Sequence, residues 1–275
     1  MYLFEPDRTQ FDLSWRMFGI SVRVHPMFWL VSAIMGWSLL QDGFEYLLIW
    51  IACVFISILI HELGHVWMGL MFGSHGHIVL YSFGGLAIGS NHLDKRWQRI
   101  AVCFAGPAAG FLLLGVLFLL IWLRDPEVFP VYWAMAKQYL GLPVERVARD
   151  VVRNINHMEF FIVGQLIFIN LLWGLVNLLP IWPLDGGQIS RDVCEGVSRD
   201  RGLSLSLGIS LVLAGLLAIH CLMARYGKPL LPLKFGSVYS AILFGLLALE
   251  SFQLLQHAQS QRRWMDEHWD RDDWR

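Results

Sequence analysis

The amino-acid sequence predicts an all-α membrane protein, a polytopic bundle of about six transmembrane helices with a small β-hairpin or sheet near one face. Three observations lead there. The 275 residues are 56% hydrophobic and 16% charged, against roughly 45–50% and 25% in ordinary soluble domains. The apolar residues gather into runs near the roughly 20 needed to cross a bilayer core of about 30 Å. Between two of those runs, β-branched and aromatic residues flank a pair of glycines.

The runs are expected as spans over about Val24–Leu40, Tyr46–Phe72, Ile100–Leu123, Phe160–Leu179, Leu203–Met223 and Phe235–Leu255. The first is short and closes on Gln41-Asp42-Gly43. Acids and bases precede it, so it reads as a retained anchor and not as a cleaved signal peptide. The stretch His75–Ser90 (HGHIVLYSFGGLAIGS) reads as two short strands, with Gly84-Gly85 as their turn. The chain is read as a single membrane domain over residues 1–275, with its core at 46–190 and a charged, Trp-bearing tail at 256–275.

Charge orients the spans. With the N-terminus in the cytoplasm, thirteen of the 21 Lys and Arg residues fall on the cytoplasmic side, which the positive-inside rule favours. A net charge of −1 gives no electrostatic case for binding nucleic acid. Cys53, Cys103, Cys194 and Cys221 are scattered with no C-x-x-C pair, so small buried thiols are expected and neither a disulfide frame nor a cysteine metal cluster.

The chemistry centres on the second run, which ends ISILIHELGHVWMGLMF. His61 and His65 are four apart, so on a helix both imidazoles leave the same face, one turn apart. Two such nitrogens suit tetrahedral Zn²⁺. Glu62, about 100° around the helix, can reach a metal-activated water as a general base without being a ligand. Ionisable side chains at this depth are costly unless they have a function or a partner. Histidines and a glutamate satisfied by neighbouring helices are the structural alternative.

A third ligand is sought at the end of the fourth run, INLLWGLVNLLPIWPLDGGQ. Pro180 and Pro183 stop a helix and Gly186-Gly187 free the backbone, so Asp185 is expected on irregular backbone. A turn aspartate capping a helix is the competing reading. The second and fourth spans are separated by one complete crossing, so both motifs end at one membrane face. Two imidazoles and a carboxylate leave the fourth zinc position open, as in catalytic rather than structural sites. Asn170 reads as a donor to an oxyanion or substrate backbone, or as a buried helix–helix hydrogen bond. His75, His77 and His92 read as ordinary loop residues.

HELGH on a membrane helix followed by NLLPIWPLDGG resembles the site-2 protease family of intramembrane zinc metalloproteases, over about Ile58–Gln188. GGLA at Gly84–Ala87 and AGP at Ala105–Pro107 are also similar to the family. Where the family often carries an asparagine three residues after AGP, this chain has Gly110. The resemblance implies one Zn²⁺ per chain held by His61, His65 and Asp185, with Glu62 as general base. It places Asn170, Asn177, Gly84 and Gly85 among substrate-binding positions. It also implies cleavage in or near transmembrane segments of membrane-protein substrates. The charge count sets the active site toward the cytoplasmic side, and a prokaryotic cell membrane is expected. No PDZ or CBS module is visible, so substrate choice is expected to rest on the membrane core or on a regulatory partner protein. A metal transporter using the same three ligands is the rival reading, but it has little need of Glu62. An inactive homologue that binds without cutting is the other.

Overall fold

A computed structural model describes residues 6–82, 84–91, 93–144, 155–198, 200–228, 230 and 236–272. The chain divides into two compact units, one up to residue 177 and one from residue 178 onward.

The first unit opens with a hairpin, β1 (Leu13–Met17) and β2 (Ile20–Val24). Its two-residue turn is Phe18-Gly19, with φ of 52° and 81°, the positive pair that a type I′ turn requires. Leu13, Trp15 and Met17 stand opposite Val24, Val22 and Ile20, and with side chains alternating along a strand these six share one face. Arg23 points the other way and is buried. Its guanidinium donates to Asp12 Oδ2 and to the Pro6 carbonyl, each at 2.9 Å, pinning the chain before β1 onto the sheet.

Next come α1 (Pro26–Met35), a 3₁₀ turn (Trp37–Gln41) and α2 (Phe44–Met71). The expected first span, Val24–Leu40, is therefore not one helix. Val24 ends β2, and α1 stops after ten residues at Gly36, where a Cβ would overlap the Trp50 indole. Among the described residues five helices, not six, are long and apolar enough to cross a membrane. β2 and β3 (His77–Tyr81) are parallel neighbours, and parallel strands need a crossover between them. Here α1 and the 3₁₀ turn, about 15 Å and about 10 Å long, run from the sheet back toward the start of α2. The residues before α1 thus lie at the same end of α2 as the residues after it.

β3 pairs antiparallel with β4 (Gly84–Ile88), completing a sheet in the order β1-β2-β3-β4 with β4 at its end. The turn falls at Ser82, with φ of 45°, so Gly84 and Gly85 are inside β4 and are not the turn expected from sequence. Ile20, Val22, Val24, Ile78 and Leu80 pack with Val54, Ile58 and Leu63 of α2 in one core. The unit continues with α3 (Arg96–Arg124), α4 (Phe129–Tyr139) and α5 (His157–Asn177). α4 belongs to the connection after α3 and buries Tyr132 against α5 residues such as Val163 and Ile167.

The second unit holds α6 (Asp185–Val197), α7 (Gly202–Arg225) and α8 (Val238–Asp272). α7 and α8 share a core of Ala214, Leu217, Cys221 and Phe244. The tail expected from residue 256 continues α8 as helix to Asp272.

Candidate metal centre

α2 brings its two histidines together as the four-residue spacing requires. His61 and His65 are 5% and 6% exposed, and their Nε2 atoms are 3.2 Å apart. Two ligands of a tetrahedral zinc at 2.0–2.1 Å are separated by about 3.3 Å, so a single ion suits the pair. The tautomer agrees. His65 Nδ1 lies 2.7 Å from the Val102 carbonyl, and a carbonyl only accepts. The ring proton is therefore on Nδ1, and Nε2 keeps its lone pair for a metal.

Buried imidazoles need space, and α3 provides it through small residues. Gly64 of α2 lies against Ala105, where a Cβ would overlap the Ala105 carbonyl. Gly106 lies directly against the pair, and a Cβ there would overlap both His65 and His61. AGP thus has a steric explanation: helix backbones approach closely where side chains are absent. Glu62 is also buried, at 5% exposure, and lies against β4, where a Cβ on Gly85 would overlap its carboxylate arm. Gly85 is a glycine for Glu62, and not for a turn.

Asn170 lies in a π turn (Ile169–Trp173) inside α5, a local widening common at functional sites. Its Nδ2 donates to Ser57 Oγ and to the Leu166 carbonyl, both at 2.9 Å. Because the Leu166 carbonyl only accepts, the amide cannot be flipped. One amide hydrogen is spent on a helix–helix contact with Ser57 and the other on the Leu166 carbonyl of its own helix, and Oδ1 remains to accept. A small cavity borders His61, Ser57, Gly110 and Asn170. Asn177, the last residue of α5, is buried. The π turn interrupts the regular helix between the two asparagines, so their seven-residue spacing does not by itself put them on one face. Ser57, Gly106 and the Val102 carbonyl were not identified as partners of these residues from sequence.

Asp185 belongs to the second unit, where it is buried as the first residue of α6. It is neither on irregular backbone nor the cap, which is Leu184 with no side-chain cap bond. The preceding Pro-rich turn is tight. A Cβ on Gly186 would overlap the Leu178 carbonyl, and one on Gly187 the Ile181 carbonyl. Ser210 of α7 clamps this turn, with Oγ accepting from Trp182 N at 3.0 Å and donating to Ser206 O at 2.9 Å. His92 lies outside the described residues.

A family model for peptidase family M50 matches residues 49–218, the stretch holding every one of these groups. The chain belongs to peptidase family M50. Its resemblance to site-2 proteases is thereby borne out, and it is a multi-pass integral membrane protein. A Synechocystis protein is 31% identical over 64% of this chain and 42% of its own length. A zinc metalloprotease of Methanocaldococcus jannaschii is 26% identical over 74% of this M50 chain and 52% of its own. Stage IV sporulation protein FB of Bacillus subtilis is 29% identical over 64% and 48%. The chain spans about half the length of these relatives. The solved structure of a site-2 protease from Methanocaldococcus jannaschii covers 89% of the chain with a TM-score of 0.55 at 18% identity, a likeness of fold.

Proposed function

We propose that this M50 member is a zinc-dependent endopeptidase that hydrolyses peptide bonds in or near transmembrane segments of membrane-protein substrates, in regulated intramembrane proteolysis. The two units act as one protease domain. The observation that carries the reading is the buried pair of Nε2 atoms 3.2 Å apart, next in sequence to Glu62, in a chain of a peptidase family.

Asp185 completes the ligand set with His61 and His65. Each unit supports this separately. His61 and His65 lie about 15 Å and about 9 Å along α2 from its last residue. Ser210, which holds the turn before Asp185, is about 12 Å along α7 from its first residue. Counting spans, the end of α2 and the start of α7 belong to one membrane face. Zinc at such a site supplies a Lewis acid for the scissile carbonyl and lowers the pKa of water toward 7. Glu62, held against β4 by its neighbour Gly85, takes the proton of the attacking water and passes it to the leaving amine. Asn170 Oδ1 and Asn177 offer polar groups to the substrate backbone. β4 is the end strand of its sheet, so an unwound substrate segment adds along Gly84–Ile88 and recovers there the hydrogen bonds of its lost helix. The bias of Lys and Arg supports a cytoplasmic position for this face, and the membrane is taken to be a prokaryotic cell membrane. A regulatory partner protein is the expected source of control.

Zinc analysis of the purified protein tests the ligand set. One zinc per chain is expected, with each of His61→Ala, His65→Ala and Asp185→Ala depleting it. Full zinc and full activity in Asp185→Ala would remove Asp185 from the site.

A further inference from the structure

The cavity beside His61 has a volume of about 10 Å³ and is bordered by His61, Ser57, Gly110, Asn170, Trp173 and Gly174, room for about one water-sized group. Two of its walls are glycines. At Gly110 the space is real, since the nearest atom to an added Cβ would be Asn170 Oδ1 at 3.4 Å, an ordinary contact. The large wall is Trp173, which also reaches β4, where a Cβ on Gly84 would meet its Cζ2 at 3.7 Å. One indole therefore closes the cavity and touches the strand beside which the substrate is proposed to lie. Resting on the protease reading, we infer that this cavity is the subsite for a substrate side chain flanking the scissile bond, and that it admits only glycine, alanine or serine.

The chemistry of the lining fits that choice. A hydrogen or a methyl group fills the space left by Gly110 without moving Trp173. A serine hydroxyl finds an acceptor in Asn170 Oδ1. Leucine, valine or phenylalanine would have to displace the indole, which packs in the core around α2. Excess of even one methylene in a fitted pocket costs roughly 10- to 200-fold in specificity.

The test is a cleavage profile. Wild-type enzyme in detergent is given a library of single-span segments randomised at six central positions, with Glu62→Gln as background, and cut bonds are located by mass spectrometry. Glycine, alanine or serine is expected on one fixed side of the cut, at least tenfold over leucine. Trp173→Leu and Trp173→Ala should admit leucine and methionine at that position, whereas Gly110→Ala should narrow it toward glycine. A gain of new substrates in the Trp173 variants is not something a misfolded protein can mimic. Identical profiles in wild type, Trp173→Leu and Gly110→Ala, or large residues on both sides of the wild-type cut, would overturn the subsite while leaving the protease intact. Absence of any cut above the Glu62→Gln background would instead sink the protease reading, and the subsite with it.

Discussion

Adding one methyl group at Gly106 tests whether the two imidazoles are held for a metal. The residue is on α3, and its added Cβ would overlap the rings of both His65 and His61, the atoms in conflict including the two Nε2 nitrogens. Neither ring has an easy retreat. Both histidines are buried, and His65 is tied through Nδ1 to Val102 O at 2.7 Å. Overpacking of this kind costs about 1–3 kcal/mol. Taken from the metal-competent arrangement, that is a loss of roughly five- to 150-fold in zinc affinity, at 1.4 kcal/mol per factor of ten. Gly115→Ala is the control. It is on the same helix with nothing within 4 Å of its added Cβ, and should gain helix propensity, worth up to about 1 kcal/mol, with zinc binding unchanged. The assay is competition with a chromophoric chelator on protein purified in detergent, with helicity followed by circular dichroism. Wild-type zinc affinity in a folded Gly106→Ala protein would refute the reasoning, because close packing at Gly106 would then not constrain the ligands.

Other consequences follow from the same contacts. Gly85→Ala should push Glu62 aside, lowering cleavage by tenfold or more while zinc stays near one per chain; unchanged turnover would separate Glu62 from β4. Gly187→Ala should open the turn clamped by Ser210 and deplete zinc as Asp185→Ala does, read by metal analysis. Burial raises the Asp12 pKa, but hydrogen bonds from Thr9 and Arg23 outweigh it, leaving the pKa below its usual 3.8. The pinning of residues 6–12 should therefore be complete above that value and lost as pH falls through the lower folded value. Hydrogen exchange at these residues should be slow at pH 5–7, whereas Arg23→Met should speed it throughout. Cysteine labelling should find Lys95 and Arg201 on the same face and Leu142 on the other; opposite faces for the first two would break the shared-face arrangement.

What could be read from the sequence was what repeats at a fixed spacing. HELGH is such a pattern, and the structure gives it the one-face geometry that four residues on a helix demand. The long spans likewise came from unbroken apolar runs. Features that depend on contacts between distant residues were not legible. Nothing around Gly106 announces that it lies against two imidazoles, and the Val102 carbonyl that orients His65 has no side-chain signature at all. The β1–β2 hairpin did carry a period-two pattern, Trp15 and Met17 followed by Val22 and Val24. It was obscured because Val24 also begins an apolar run, which Gly36 then breaks. Gly84-Gly85 looked like a turn because glycine pairs usually are, but one of them is needed small beside Glu62. Asn170 was visible as a polar residue in an apolar span. The π turn that positions it, and the bonds to Ser57 and Leu166 that spend its amide hydrogens, were not.

Cleavage of a membrane substrate by zinc-loaded wild type and by Glu62→Gln is the most direct measurement. Both proteins are reconstituted in liposomes with a single-span substrate, metal content is checked, and products are sized by mass spectrometry. Both should hold one zinc per chain, wild type should release fragments cut in or near the span, and Glu62→Gln should be slower by about 10²–10⁴-fold, the usual worth of a positioned general base. Equal cleavage by the two zinc-loaded proteins would contradict Glu62 as the base, and intact substrate with both would contradict the protease.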